Sequence, residues 1–216
     1  MKKYFLIVLL CIYTSDISAQ QESFRIQGVI DACIALRDAV AENDTSAIRK
    51  SAIKLKSAGS VRFANFRCKD KTLLSLNGHI VFNEIFADSL ADGNTDVYNN
   101  ADRINRATTH RGQTADGSYL TQTCFVKAGE STIYIFSAKG YQELAVVAEA
   151  GGLITMKIHV TNSTGFDRRY DDTKKVKTGL QQRKTSFMLP KDVRNNVEVE
   201  IVNCGKKDCS FVIISN

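Results

Sequence analysis

Cysteine and histidine carry most of the chemistry this chain could perform. Of its six cysteines, Cys11 lies in an apolar leader and five follow it: Cys33, Cys68, Cys124, Cys204 and Cys209. Cys204-Gly-Lys-Lys-Asp-Cys209 is the tightest pair. Its short spacing, opening on Gly205, suits a closed hairpin tip, and strand-like runs flank it at 197–202 and 211–214. In an oxidising compartment, thiols so placed pair as disulfides. The expectation is a Cys204–Cys209 clamp, with Cys33–Cys68 as a second candidate pair that would tie the N-terminal region. Cys124 is then odd. It is either a nucleophile, an intermolecular bridge, or a small buried residue in a strand, and its apolar neighbours favour the last.

The three histidines, His79, His110 and His159, are scattered. None has a His-x-x-x-His partner or a paired-cysteine ligand pattern, so no metal centre is expected from them. His159 with Cys124 is the one cysteine–histidine dyad that a sheet could bring together. The chain has no Gly-x-Ser-x-Gly elbow, phosphate loop or dinucleotide fingerprint. No catalytic residue is identified and no cofactor is expected. Asp92-Gly-Asn-Thr-Asp96 gathers oxygen donors in a short turn. Asp92, Asn94 and Asp96 are therefore a weak calcium candidate, but the ligand order and closing glutamate of an EF-hand are missing, and such residues make turns unaided.

The richest contact surface is the segment from Asn162 to Thr173. Phe166 and Tyr170 offer apolar faces beside Arg168 and Arg169, and arginine forks suit carboxylates and sulfates. These four residues are the candidate ligand-binding set. Asp167, Asp171 and Asp172 are the alternative partners of the two arginines.

Compartment follows from the first residues. Lys2 and Lys3 precede an apolar run from Tyr4 to Tyr13, and Ile17-Ser18-Ala19 supplies small residues for cleavage. That is the layout of a secretory signal peptide over 1–19. The apolar run is about half the roughly 20 residues a membrane span requires. Leu9 and Leu10, rather than small residues, precede Cys11, which argues against lipid attachment. The expected destination is a periplasm or the extracellular space. The formal net charge of +6 is spread along the chain, so nucleic acid is not indicated. With 44% hydrophobic residues the chain can build a core.

The elements that must position these residues can be read from periodicity. Ile26, Val29, Ile30, Cys33, Leu36 and Val40 recur at helical spacing, predicting a helix over 22–42. Asn43-Asp44-Thr45 stops it and caps a second helix reaching Lys56. Asn77-Gly78 between apolar runs predicts a β-hairpin over 72–82 with a type I′ turn. Residues 84–118 are irregular apart from a short helix near 97–106. From Tyr119 the pattern is β, with strands expected at 119–126, 131–138, 143–148, 153–161, 174–178, 184–189, 197–203 and 210–215. Short strands separated by turn signals suggest an antiparallel sandwich.

The run Val126-Lys-Ala-Gly-Glu-Ser-Thr-Ile-Tyr-Ile-Phe-Ser-Ala138, with the closing runs 197–203 and 211–216, resembles bacterial pre-peptidase C-terminal-like modules. Glu143-Leu-Ala-Val146 stands where those modules carry an Asp-Leu-Asp-like strand, and their late Gly-x-Tyr is missing. The resemblance implies a non-catalytic, jelly-roll-like accessory domain of a secreted protein.

The expected fold is therefore α+β: an N-terminal helical hairpin followed by a mainly antiparallel β-sandwich. The expected units are a signal peptide (1–19), a helical and β-hairpin region (20–118) and a sandwich (119–216), with the helices packing on the sandwich as an alternative single unit. The expected function is an exported, non-catalytic binding module that recognises a protein or an envelope glycan. A small secreted hydrolase and an assembly-forming factor are the alternatives.

Overall fold

The computed structural model describes residues 26–57, 62–63, 66–69, 75–107, 120–171 and 179–216. The expected signal peptide, His110 and the strand expected at 174–178 fall outside them. Among the described residues, no helix is long and apolar enough to cross a membrane.

Helix α1 covers 26–41 and α2 Thr45–Ser57. Asn43 separates them at φ 54°, while the Asp44 and Asn43 amides donate back to Ala39 and Val40. This is the left-handed stop that asparagine tolerates. Asp44 then accepts from the Ala47 amide at 3.0 Å and caps α2. Two two-residue strands follow, β1 (Arg62–Phe63) and β2 (Arg67–Cys68). After them come α3 (Glu84–Ala91), a 3₁₀ turn (Thr95–Val97) and α4 (Ala101–Ala107). The sandwich strands are β3 (Leu120–Val126), β4 (Ser131–Ala138), β5 (Tyr141–Ala148), β6 (Ile154–Asn162), β7 (Asp167–Asp171), β8 (Gln182–Met188), β9 (Asn195–Asn203) and β10 (Cys209–Ser215).

These strands form two five-stranded sheets, ordered β1-β3-β10-β5-β8 and β2-β4-β9-β6-β7. All pairings are antiparallel except β1 with β3, which is parallel. The fold is thus α+β, helices first and a sandwich after them.

The molecule has three layers, and the sequence of each strand explains which faces it buries. β5 and β10 are near-continuous apolar runs, Leu144–Ala148 and Phe211–Ile214. Such strands are covered on both sides. One side, Leu144, Val146, Phe211 and Ile213, packs against the second sheet. The other side, Ala145, Val147, Val212 and Ile214, joins the helical core around Ile26, Leu36, Phe86 and Val81. Each large aliphatic side chain buried this way contributes about 1.5–3 kcal/mol. The second sheet alternates instead. In β9, Val197, Val199 and Ile201 face inward and Glu198 and Glu200 face solvent. Helices cover the first sheet, so among the described faces the outer face of the second sheet is the broad one left open.

Three expectations change. The hairpin at 72–82 is absent over its described part: residues 75–82 carry no strand. Gly78 takes φ 90° but Asn77 keeps a negative φ, so the turn closed by His79 onto Leu76 at 2.9 Å is not type I′. A type I′ turn needs both central residues left-handed. The segment is held instead by other elements, through Gly78 to the Tyr98 carbonyl and Phe82 to Thr123 Oγ1. Second, α3 was not expected. Its start is fixed by Asn83, whose side chain accepts from the Phe86 amide at 2.8 Å. Third, the strand after β6 is β7 at 167–171, inside the segment read as a loop.

Candidate functional site

β6, β7 and β9 build the open face. In antiparallel register, Ile135, Glu198, His159 and Arg169 form one cross-strand row, and Ile133, Glu200, Lys157 and Asp171 form the next. Residues in one row lie close enough to interact. Between them runs a groove of about 330 Å³ whose lining includes Ile133, Lys157, His159, Arg169, Tyr170, Glu198 and Glu200. Lys157 Nζ lies 3.2 Å from Glu200, and Lys69 Nζ 3.4 Å from Glu198. His159 Nε2 lies 3.0 Å from Asp167 Oδ1. Such exposed pairs each stabilise by at most about 1 kcal/mol, so a ligand can displace them cheaply. Arg169 is exposed and makes no ion pair among the described side chains.

The turn between β6 and β7 sets the position of Arg169. Asn162 Oδ1 accepts from the Thr164 amide, the Thr164 hydroxyl and the Phe166 amide at 2.8–3.0 Å. Asn162 Nδ2 donates to Asn195 Oδ1 at 3.0 Å. Fully buried Asn195 in turn donates to the carbonyls of Ala138, Pro190 and Val193. One buried amide therefore ties three loops to the end of the groove.

The four candidate contact residues divide by strand period. Arg169 opposes His159 and faces the groove. Arg168 and Tyr170 oppose the inward residues Val160 and Ile158. Tyr170 stacks on Phe187 at 5.2 Å, and Phe166 packs half-buried against the inter-sheet core. Arg168 lies 5.4 Å over the Phe166 ring. Phe166 and Arg168 thus form an edge cluster, while Arg169 and Tyr170 both line the groove. His159, Lys157, Glu198 and Glu200 were not expected there. Their signal was the polar half of the alternation in β6 and β9.

Asp92, Asn94 and Asp96 remain turn residues. Asp92 pairs with Arg49 at 2.8 Å, and Asn94 caps the 3₁₀ turn by accepting from the Asp96 amide. No cluster of three or more His, Cys, Asp or Glu side chains able to hold a metal is present among the described residues. His159 and Cys124 do not meet. His159 lines the outer groove, and Cys124 is buried between the sheets.

No disulfide joins the five cysteines the structure describes. Cys204 and Cys209 do not flank a hairpin tip, because β9 and β10 belong to different sheets. The connection is a crossover, not a hairpin. Cys204 is exposed, with Sγ 4.0 Å from Thr155 Oγ1, while buried Cys209 donates to the Ser210 carbonyl. Cys33 and Cys68 are likewise apart: Cys33 sits in the helical core and Cys68 against the inter-sheet core. Burial pushes the Cys33 and Cys209 thiols up to about 12, and raises Cys124 as well.

A second polar cluster lies where segment 75–82 meets the first sheet. His79 Nδ1 is 2.7 Å from Glu149 Oε1, which also accepts from the Ser210 amide at 2.7 Å. The His79 ring meets Phe125 edge-on at 4.8 Å. The hydrogen bond to Glu149 raises the His79 pKa above its ordinary value, against the opposing effect of burial.

No family model matches the chain, and no curated protein matches it in sequence. Among solved structures it is similar to a Yersinia pseudotuberculosis-derived mitogen, at 11% identity and TM-score 0.33, covering 46% of this chain and 85% of that one. It is also similar to the module TmCBM61 in complex with β-1,4-galactotriose, at 15% identity and TM-score 0.29, covering 50% and 73%. A third is a mutant of the Escherichia coli periplasmic inhibitor of g-type lysozyme, at 15% identity and TM-score 0.28, covering 49% and 93%. What stands of the resemblance read from the sequence is the β-sandwich itself.

Proposed function

We propose that this protein is an exported, non-catalytic binding module that recognises a protein or an envelope glycan through the outer face of its second sheet. The observation that carries this reading is the groove itself. Arg169 stands exposed and without an ion pair among the described side chains, beside His159, over a floor that includes Ile133. A guanidinium there offers a fork to a carboxylate or sulfate, and Ile133 offers an apolar patch to a sugar ring or side chain. Lys157 and Lys69 hold Glu200 and Glu198, and the two carboxylates remain able to accept hydroxyl donors. Export through the leader at 1–19 would place this face in the periplasm or outside the cell.

The same groove is where a hydrolytic activity would sit, because it joins His159 to two glutamates. Binding is the better reading. The groove lies on an open sheet face that does not exclude water from reacting groups. The assembly reading loses its residue, since Cys124 is 4% exposed and cannot reach a second chain.

The test is a binding screen of acidic and neutral envelope oligosaccharides, with peptidoglycan fragments, against wild type and Arg169→Ala. Binding that falls at least tenfold in the variant supports the reading. Turnover of a probe, or binding indifferent to Arg169, would overturn it.

A further inference from the structure

Helix α2 buries one stripe, Ile48, Ser51, Ala52 and Leu55, and turns its opposite side to solvent. Ile53 stands in the middle of that wet side. It is 62% exposed, the most exposed large apolar side chain among the described residues. Single apolar residues are common on surfaces. What sets Ile53 apart is the ring of cations around it. Arg49, Lys50 and Lys56 lie three or four positions away and are its neighbours on the helix surface. Lys54 flanks it directly, and α2 contains no acidic residue.

The lysines of this ring are available to a partner. Arg49 is held by Asp92 at 2.8 Å and by the Ala91 carbonyl at 3.1 Å. Lys50, Lys54 and Lys56 are exposed and make no ion pair among the described residues. Helix α3 packs beside α2, yet its Glu84 and Asp88 pair with none of the three. Asp44 sits at the N-terminal end of α2, as its cap. The chemistry of the cations narrows the partner. Lysine is a point charge on a flexible stem, whereas a shaped carboxylate site favours the arginine fork. A basic helix face with an apolar side chain to insert is the composition that lies on anionic bilayers.

We propose that α2 is a peripheral docking face for an anionic phospholipid surface. Ile53 enters the boundary between headgroups and acyl chains, and Lys50, Lys54 and Lys56 meet the lipid phosphates. Each lysine brought to such a surface strengthens binding about fivefold. Burying the exposed part of Ile53 adds a factor of about five. One helix face with one inserted side chain gives reversible attachment, not a permanent anchor. The helical layer and the open face of the second sheet lie on opposite sides of the three-layer stack. Docking through α2 therefore leaves the groove uncovered.

The test is sedimentation of the exported protein with vesicles, removal of its apolar leader being confirmed by mass spectrometry. One set holds phosphatidylglycerol and phosphatidylcholine in equal parts, the other phosphatidylcholine alone, each at low and high salt. The expected result is binding to the anionic vesicles alone, weakened at high salt. The combined substitutions Lys50→Gln, Lys54→Gln and Lys56→Gln should weaken it at least about tenfold. Lys127→Gln, Lys139→Gln and Lys191→Gln remove the same charge from exposed sandwich positions, and binding should stay within about twofold of wild type. Ile53→Ser keeps every charge and should bind about fivefold more weakly. Wild type that ignores anionic vesicles at low salt, or binds neutral ones equally, would overturn the proposal. So would equal losses in the two triple variants, or an Ile53→Ser protein that binds like wild type. Retention on heparin without vesicle binding would make an acidic polymer the partner and overturn it too. The comparison of vesicles with wild type stands even where a variant fails to fold.

Discussion

Replacing Asn195 by alanine would release three loops at once. The side chain is fully buried, and its amide donates to the carbonyls of Ala138, Pro190 and Val193 at 3.0–3.2 Å while its oxygen accepts from Asn162. A net hydrogen bond stabilises by about 1 kcal/mol, and the four lost here sum to about 3 kcal/mol once some groups recover water. For a protein of this size that corresponds to a fall in Tm of about 6–12 °C. Asn195→Asp should be worse at neutral pH. It sets a buried carboxylate against three carbonyls, and a buried charge without a partner is costlier than a missing bond. Protonation restores one donor, so the gap between the two variants should narrow as pH falls. Thermal unfolding followed by circular dichroism from pH 4.5 to 8 reads both effects. A fall below about 3 °C for Asn195→Ala, or an aspartate variant no less stable than the alanine one at pH 8, would refute the reasoning.

Other consequences follow from single contacts. The folded state binds the His79 proton more tightly than the unfolded chain does. Its pairing with Glu149 therefore stabilises fully below the ordinary histidine pKa, and the benefit is lost as pH rises through the raised value. The Tm difference between wild type and His79→Gln should be larger at pH 5.5 than at pH 8.5; an equal or reversed difference would contradict this. In reduced native protein, iodoacetamide at pH 8 should label exposed Cys204 first, with Cys33 and Cys209 protected by burial and high pKa; mass spectrometry of timed aliquots checks the order. Asn83→Ala should cost about 1 kcal/mol through loss of the α3 cap, measured by urea unfolding.

The elements were largely legible in the sequence because period is local. Alternation in Val197-Glu-Val-Glu-Ile-Val202 and in Met156-Lys-Ile-His-Val160 marks strands whose other face is wet, and Asn43-Asp44 marks a helix stop and start. Partner choice is not local. β9 and β10 are consecutive, yet they lie in different sheets, so the 204–209 connection is a crossover and not the hairpin its spacing suited. Asn77-Gly78 read as a hairpin for the same reason: the dipeptide favours a turn, and Tyr98 and Thr123 decide what the turn joins. At the site, Phe166-Asp-Arg-Arg-Tyr170 read as a loop offers four contacts, whereas read as a strand it offers only its alternate residues to one face. The groove also needed Glu198, Glu200 and Lys157, brought beside Arg169 only by sheet register. The His79–Glu149 pair is more distant still in sequence and left no local trace.

The central claim is that the open face of the second sheet binds a ligand. The most direct measurement is an amide nuclear magnetic resonance titration of the folded protein with an acidic envelope oligosaccharide that the binding screen selects. The account predicts shifts concentrated at 133, 135, 157, 159, 169, 198 and 200, and their loss in Arg169→Ala. Saturable shifts confined to the helical layer or to the 204–209 crossover, with the groove unmoved, would contradict it.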